Sequence, residues 1–390
     1  MSTVGFDGLA RAPLILLAMA TRPKRADVVA ATKAYESWLG RHVTLLADDL
    51  ELKHAQMEQL EFAFLRATYY RWVESWPEMC PELDDAPRVL AIGDLHVENF
   101  GSWRDSEGRL AWGISDFDEA DHLPYTNDLV RLATSALLAA RIDDRTLSEK
   151  RICDTILGGY REGLEQGGLP FVLDEKHRWF VPMMRKGLRD PVRFWRKMRA
   201  LPEVARREIP DTALAGIKSL LPEPNLQCRF VRRTAGLGSL GRPRFVALAE
   251  WAGGLIAREA KALAPSASSQ RSKERASATA RYNEILGSAV RCPDPFLRAE
   301  NNWVVRRLAP DCAKIELSSL SRVEDQARQL HAMGWETANV HLGSSDVVKA
   351  VQKDLAARPR KWLRDGAQKM LQATQRDWKQ WRESTKRGSR

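Results

Sequence analysis

Short apolar runs, each closed by polar or glycine-containing residues, pace the middle of this chain. Val89-Leu90-Ala91-Ile92 and Leu110-Ala111-Trp112-Gly113-Ile114 read as two buried strands, since four or five consecutive apolar residues bounded by turn formers suit a strand covered on both faces. Further on, residues 228–233, 244–249 and 303–308 carry the same strand pattern. Helical periodicity dominates elsewhere. Residues 32–76 are helix-rich, with Tyr69, Tyr70 and Trp72 in an aromatic cluster that reads as core. Residues 128–140 form a strong helical stretch with Asn127 or Asp128 near its cap, and residues 321–342 read as another helix.

The candidate chemistry lies at the ends of the first two strands. After the first comes Gly93-Asp94-Leu95-His96-Val97-Glu98-Asn99-Phe100-Gly101, and after the second Ser115-Asp116-Phe117-Asp118-Glu119. Asp94 precedes Asn99 by five positions, the spacing of base and metal-binding Asn in the kinase catalytic loop, and Asp116-Phe117 stands where the metal-binding Asp of D-F-G would come next. A carboxylate takes or orients the proton of an attacking hydroxyl, and hard oxygen ligands hold Mg²⁺ against nucleotide phosphates. Asp94 is thus the candidate base, Asn99 and Asp116 the candidate metal ligands, and Asp118 a supporting acid. Each fragment alone also fits an Asx-rich turn or a solvated acidic loop. Two strand ends delivering both favour the functional reading. His96 either braces this loop or satisfies backbone groups, and bracing suits it better than catalysis because Asp94 already supplies the carboxylate.

Between the strands at 228–233 and 244–249 lies Gly236-Leu237-Gly238-Ser239-Leu240-Gly241. A dinucleotide-binding G-x-G-x-x-G opens a helix. Flanking strands instead indicate a hairpin whose tip covers phosphates, with Gly236, Gly238, Ser239 and Gly241 as nucleotide contacts. Residues 255–261 read either as a third strand ending in Lys261 or as a helix, for which Ala-Arg-Glu-Ala-Lys has good propensity. As a strand, it sets Lys261 where kinases hold their phosphate-contacting lysine. Residues 262–280 read as a mobile loop leading to a helix. Glu284 on that helix is a candidate ion-pair partner for Lys261, with Glu274 as its rival.

These motifs together resemble an uncharacterised bacterial domain-of-unknown-function family with protein-kinase-like and aminoglycoside-phosphotransferase-like signatures. The stretch 57–70 resembles the helix that precedes its first motif, and the likeness covers roughly residues 50–345. The resemblance implies an α+β, two-lobed, ATP-binding fold without naming a substrate, and makes Asp128 similar to a support residue on the helix that follows the metal loop. One departure stands out: the Gly-rich segment comes after the catalytic motif instead of preceding it. Circular permutation at exposed sites accounts for that order; two unrelated domains would remove the Gly-rich loop from the reading. The expected organisation is a helical large lobe with catalytic and metal loops over 1–225, a small nucleotide-binding lobe over 226–312, a helical return over 313–350, and a basic segment over 351–390.

Composition fits a globular protein: 390 residues, 44% hydrophobic and 29% charged, enough for one large bilobal core or two to three domains. Five scattered cysteines without a Cys-x-x-Cys pattern indicate neither a zinc site nor a disulfide framework, which points to a reducing cytoplasm. The apolar run at 14–20 superficially resembles a signal-peptide core, but its flanking charge is weak and a core segment is the plainer expectation. No run of 18 apolar residues is present, so no spanning helix is expected. Residues 351–390 hold 12 Lys or Arg against 4 Asp or Glu, +8 of the chain's +10. Trp362, Trp378 and Trp381 lie among them, which suits either an anionic polymer or membrane surface or a helix docking its indoles on the large lobe.

The leading expectation is an ATP- and Mg²⁺-dependent phosphotransferase acting on an unidentified hydroxyl acceptor. An AMP transferase with the nucleotide reversed shares the same residues. A non-catalytic nucleotide-sensing or nucleic-acid-binding module is the third reading, disfavoured because binding alone has no need of the base.

Overall fold

The computed structural model describes residues 27–141, 147–270, 277–314, 317, 320 and 322–388; the apolar run at 14–20 and Glu274 lie outside them. Helices open the described chain. The Asp27 carboxylate accepts the Ala30 N–H at 2.8 Å and caps Val28–Leu39, satisfying one of the orphan donors of a helix start. Ala47–Gln59, Glu61–Ala67 and Tyr69–Met79 come next. The single helix expected over 57–70 is therefore broken twice. Leu60 adopts φ −140°, ψ 142°, and Thr68 leaves helical geometry at φ −125°, ψ 42°. The second break begins a new helix at Tyr69 and Tyr70, whose side chains reach both the core and the cleft that Asp94 lines.

Two small sheets come after these helices. β1 (Arg88–Ala91) pairs antiparallel with β4 (Asp121–Pro124), while β2 (Phe100–Arg104) pairs with β3 (Leu110–Ile114), which also takes the short β5 (Phe171–Val172). This pairing brings the β1–β2 and β3–β4 connections side by side: Ser115 N–H donates to the Asn99 carbonyl at 2.9 Å. The buried helix Tyr125–Ala140 runs directly out of β4.

The second half builds a five-stranded antiparallel sheet in the order β6-β7-β8-β10-β9, from β6 (Arg229–Arg232), β7 (Arg244–Trp251), β8 (Gly254–Ala262), β9 (Arg298–Glu300) and β10 (Trp303–Leu308). Residues 255–261 are strand, not helix. β7 and β8 are joined through Ala252 and Gly253, with φ 48° and 78°, the two-residue turn whose twist matches paired strands. Ile209, Ala213, Leu214 and Ile217, on and before the helix Asp211–Lys218, pack against Phe245, Ala260 and Val305 on one side of this sheet. The segment after β8 is not a loose loop where it is described. Ser266, Ala267 and Ser268 are buried, and the Ala267 N–H donates to Glu119 at 2.7 Å.

The helix Val323–His341 packs along Glu149–Glu165, and Trp362–Gly388 closes the chain against Tyr125–Ala140 and Tyr69–Met79. Trp362 and Trp381 are buried, Trp378 is half-buried, and Arg71 pairs with Asp377 at 2.8 Å in a buried contact. The tryptophans of the basic segment are thus packing residues. The whole is an α+β protein, its five cysteines are free thiols, and no described helix is long and apolar enough to cross a membrane.

Candidate active site

Asp94 sits just past β1, in a turn that only glycine can open: Gly93 has φ 81°, and a Cβ there would collide with the Glu119 carbonyl and the Tyr69 hydroxyl. Asp128 holds this turn from below. Its carboxylate accepts the Ile92 N–H at 2.7 Å and the Gly93 N–H at 2.9 Å, and His341 meets it at 3.0 Å. Asp128 is the fourth residue of its helix, whose N-cap is Pro124, so it serves the loop and not the helix end. One helical turn on, fully buried Arg131 donates to Asp94 Oδ1 from Nε at 2.7 Å and again from Nη2. The Arg131 guanidinium is flanked by the Tyr69 and Trp72 rings at 4.9 Å. Burial raises the Asp94 pKa above the usual carboxylate value, against the pull of Arg131.

Asn99 closes the same turn, its side-chain oxygen accepting the His96 N–H at 2.9 Å. His96 accepts the Glu98 N–H through Nδ1 at 3.2 Å, and burial, aided by Arg66, keeps its pKa well below the ordinary value. A neutral ring that accepts a loop N–H is a brace. Asp116 and Asp118 lie across from Asp94 on the β3–β4 connection. Lys261, buried at the end of β8, reaches both: 2.6 Å to Asp118 and 3.2 Å to Asp116. Burial works to raise the Asp116 pKa, but Lys261, the Asp118 hydrogen bond and Arg306 hold it low; burial and Asp116 together push Asp118 up. Glu284 has no part in this cluster. It lies exposed on Ala278–Ser288 and pairs with Arg281 at 2.9 Å, because its position on that helix faces solvent.

The glycine segment arches between β6 and β7 as a short 3₁₀ turn, Leu237–Ser239. Gly236 and Gly241 take φ 77° and 94°. Gly238 passes so close to the Asp94 loop that a Cβ would lie 2.9 Å from the Arg66 carbonyl and 3.5 Å from Asp94 Oδ2. Ser239 is tied to Arg244 on β7. Gly236, Gly238, Ser239, Asp94, Asn99 and Asp116 thus line one open cavity of about 660 Å³, mouth included. Lys261 and Gly241 flank it without lining it.

Several participants are invisible as motifs. Arg242 Nη1 lies 3.5 Å from Asp118, and its Nη2 lies 3.3 Å from Glu119. Burial lifts Glu119 to about 7 despite Arg242. Fully buried Glu259 gathers Arg233 and Arg306 at 2.6 Å and Arg244 at 3.4 Å. Only periodicity could have signalled them: Asp128 and Arg131 share a helix face, and Glu259 and Lys261 share a strand face. Among the described residues no three His, Cys, Asp or Glu side chains form a ready metal shell. Mg²⁺ does not require one, since it commonly takes one or two carboxylates and completes its shell with phosphate and water. The half-exposed Asp116 carboxylate, lining the same cavity as Asn99, fits that need.

Residues 45–187 and 225–384 match the family described as an uncharacterized protein conserved in bacteria, DUF2252, and the chain belongs to that family. No curated protein and no solved structure matches the chain.

Proposed function

We propose that the protein is an ATP- and Mg²⁺-dependent transferase of two-lobed, kinase-like and circularly permuted build, moving a phosphorus-centred group onto a hydroxyl acceptor. The observation that carries this reading is the convergence of Asp94, Asn99, Asp116 and Asp118 beneath a glycine-rich turn, with a strand lysine reaching the acidic pair. The sheet supports it as well: glycine turn after the first strand, lysine on the third, then a helix and two more strands is the order of a kinase nucleotide lobe. A departure is that Lys261 pairs with Asp116 and Asp118 and not with a helix glutamate.

Asp94 Oδ2 is the free edge of a carboxylate whose other oxygen is held by Arg131, so it is placed to orient the acceptor hydroxyl and take its proton. Asn99 and Asp116 would hold Mg²⁺, which screens phosphate charge as the acceptor approaches. The glycine turn passes close over Asp94, with Gly238 beside Oδ2. In the direct form the γ-phosphoryl group moves; with the nucleotide reversed, AMP moves. The test is incubation with Mg²⁺ and ATP labelled separately at the α- and γ-phosphates, with analysis of the labelled products. Label from either position passing to an acceptor or to water supports the proposal, and no turnover of ATP beyond the Asp94→Asn background contradicts it.

A further inference from the structure

Lys314, which lines the first cavity, also lines a second pocket of about 740 Å³, mouth included, bounded by β2, β10 and the segment after β10. Arg189, Arg233, Arg291, Arg306, Arg307 and Lys314 line it, against a single acidic residue, Asp294. Glu259 beneath the sheet face is shared among Arg233, Arg306 and Arg244, so one carboxylate answers three guanidiniums. Arg291 donates to the Ile114 carbonyl through Nη1 at 3.2 Å, while its buried Nη2 has no partner among the described residues. No described acid pairs with Arg189, which is exposed beside Phe194. Gathering like charges this closely is unfavourable unless an anion completes the set. A nucleobase site is mainly apolar, whereas planar guanidiniums around an open space fit phosphate oxygens.

Continuity with the candidate active site fixes where such an anion would lead. Lys314 lines both pockets, and Ser115, adjacent to Asp116, lines the second. The first pocket, which Asp116 itself lines, also carries the rings of Tyr35, Tyr69 and Tyr70, against which a base can pack.

We propose that the arginine pocket is a phosphate subsite, and that a nucleoside triphosphate lies with its β- and γ-phosphates there and its base toward the tyrosines. This rests on the proposed Mg²⁺-nucleotide function and specifies it. The α-phosphorus then lies at Asp116. The acceptor oxygen bonds to it, the bond from Pα to the α–β bridging oxygen breaks, and pyrophosphate leaves with that electron pair. The acceptor proton passes to Asp94, and the acceptor keeps AMP.

The experiment is calorimetric titration of the full chain with Mg²⁺-tripolyphosphate, with adenosine, and with Mg²⁺-ATP, repeated for R291Q and for R189Q. R189Q is the safeguard, since an exposed side chain can be changed without threatening the fold. Tripolyphosphate is expected to bind and to compete with ATP. Its affinity should fall about tenfold or more in R291Q and severalfold in R189Q, while adenosine affinity stays constant. Absence of tripolyphosphate binding, or variants that bind it as the wild type does, overturns the phosphate subsite. Arginine variants that weaken adenosine alone place the base in this pocket and overturn the orientation. Tripolyphosphate binding that depends on the arginines, with no ATP binding at all, upholds the anion pocket and removes the nucleotide reading on which the orientation rests.

Discussion

Asp94 and Arg131 bind each other so closely that deleting either does two things at once. Asp94→Ala leaves a fully buried guanidinium without its counter-ion, a loss of about 3–5 kcal/mol in stability. Asp94→Asn keeps an acceptor for Arg131 and separates the effects. It should abolish transfer while Mg²⁺-nucleotide affinity changes little, because in the proposed mechanism Asp94 acts on the acceptor and not on the bound nucleotide. Steady-state turnover and calorimetric binding on the same sample check this, and normal turnover would remove Asp94 from the mechanism. Lys53 offers a second test, of the burial argument itself. Its ammonium is buried about 6 Å from the Tyr35 and Tyr70 ring centres, and burial lowers its pKa to about 8. Below pH 8 the lysine is charged both folded and unfolded, so the whole cost of burial is present. Between about pH 8 and 10.5 the folded state sheds the proton first, and stability rises with pH. Lys53→Met should therefore stabilise the protein at pH 7 by about 3 kcal/mol, and denaturant melts should lose that alkaline rise.

At the scale of elements, the strand β8 was legible and its helical alternative was not excluded by sequence. Alanine, arginine, glutamate and lysine favour a helix locally, but pairing on both edges, with β7 and β10, overrides that preference. The two acidic turns after β1 and β3 were readable because apolar runs announced their strands. Lys261's partner was not, because Asp116 and Asp118 are more than 140 positions away and no local pattern encodes such a pairing. Arg131, Arg242 and Glu259 escaped for the same reason. The breaks at Leu60 and Thr68 had no Gly or Pro to mark them. Asp128 gives a prediction here: Asp128→Ala leaves two loop N–H groups and His341 without their shared acceptor. The variant should lose about 2–4 kcal/mol of stability and its turnover together, as thermal melts and activity on the same preparation will show. Unchanged values of both would deny the helix its role in holding the loop.

For the whole molecule, the last helix is a structural brace across the first half of the chain. Truncation before Trp362 removes two buried indoles and the Arg71–Asp377 pair, each indole contributing about 3–5 kcal/mol, so a large fall in melting temperature is expected. A truncated protein that melts normally but loses affinity for RNA or anionic vesicles would assign the segment to polymer binding instead. The sheet and the acidic turns converge from distant parts of the chain, as the proposed metal-bound nucleotide requires. The most direct measurement compares ATP affinity with Mg²⁺ and with EDTA, for the wild type and for Asp116→Asn. Strong Mg²⁺ dependence is expected in the wild type, with most of it lost in the variant; equal ATP affinity with and without Mg²⁺ in the wild type would overturn metal-mediated nucleotide binding.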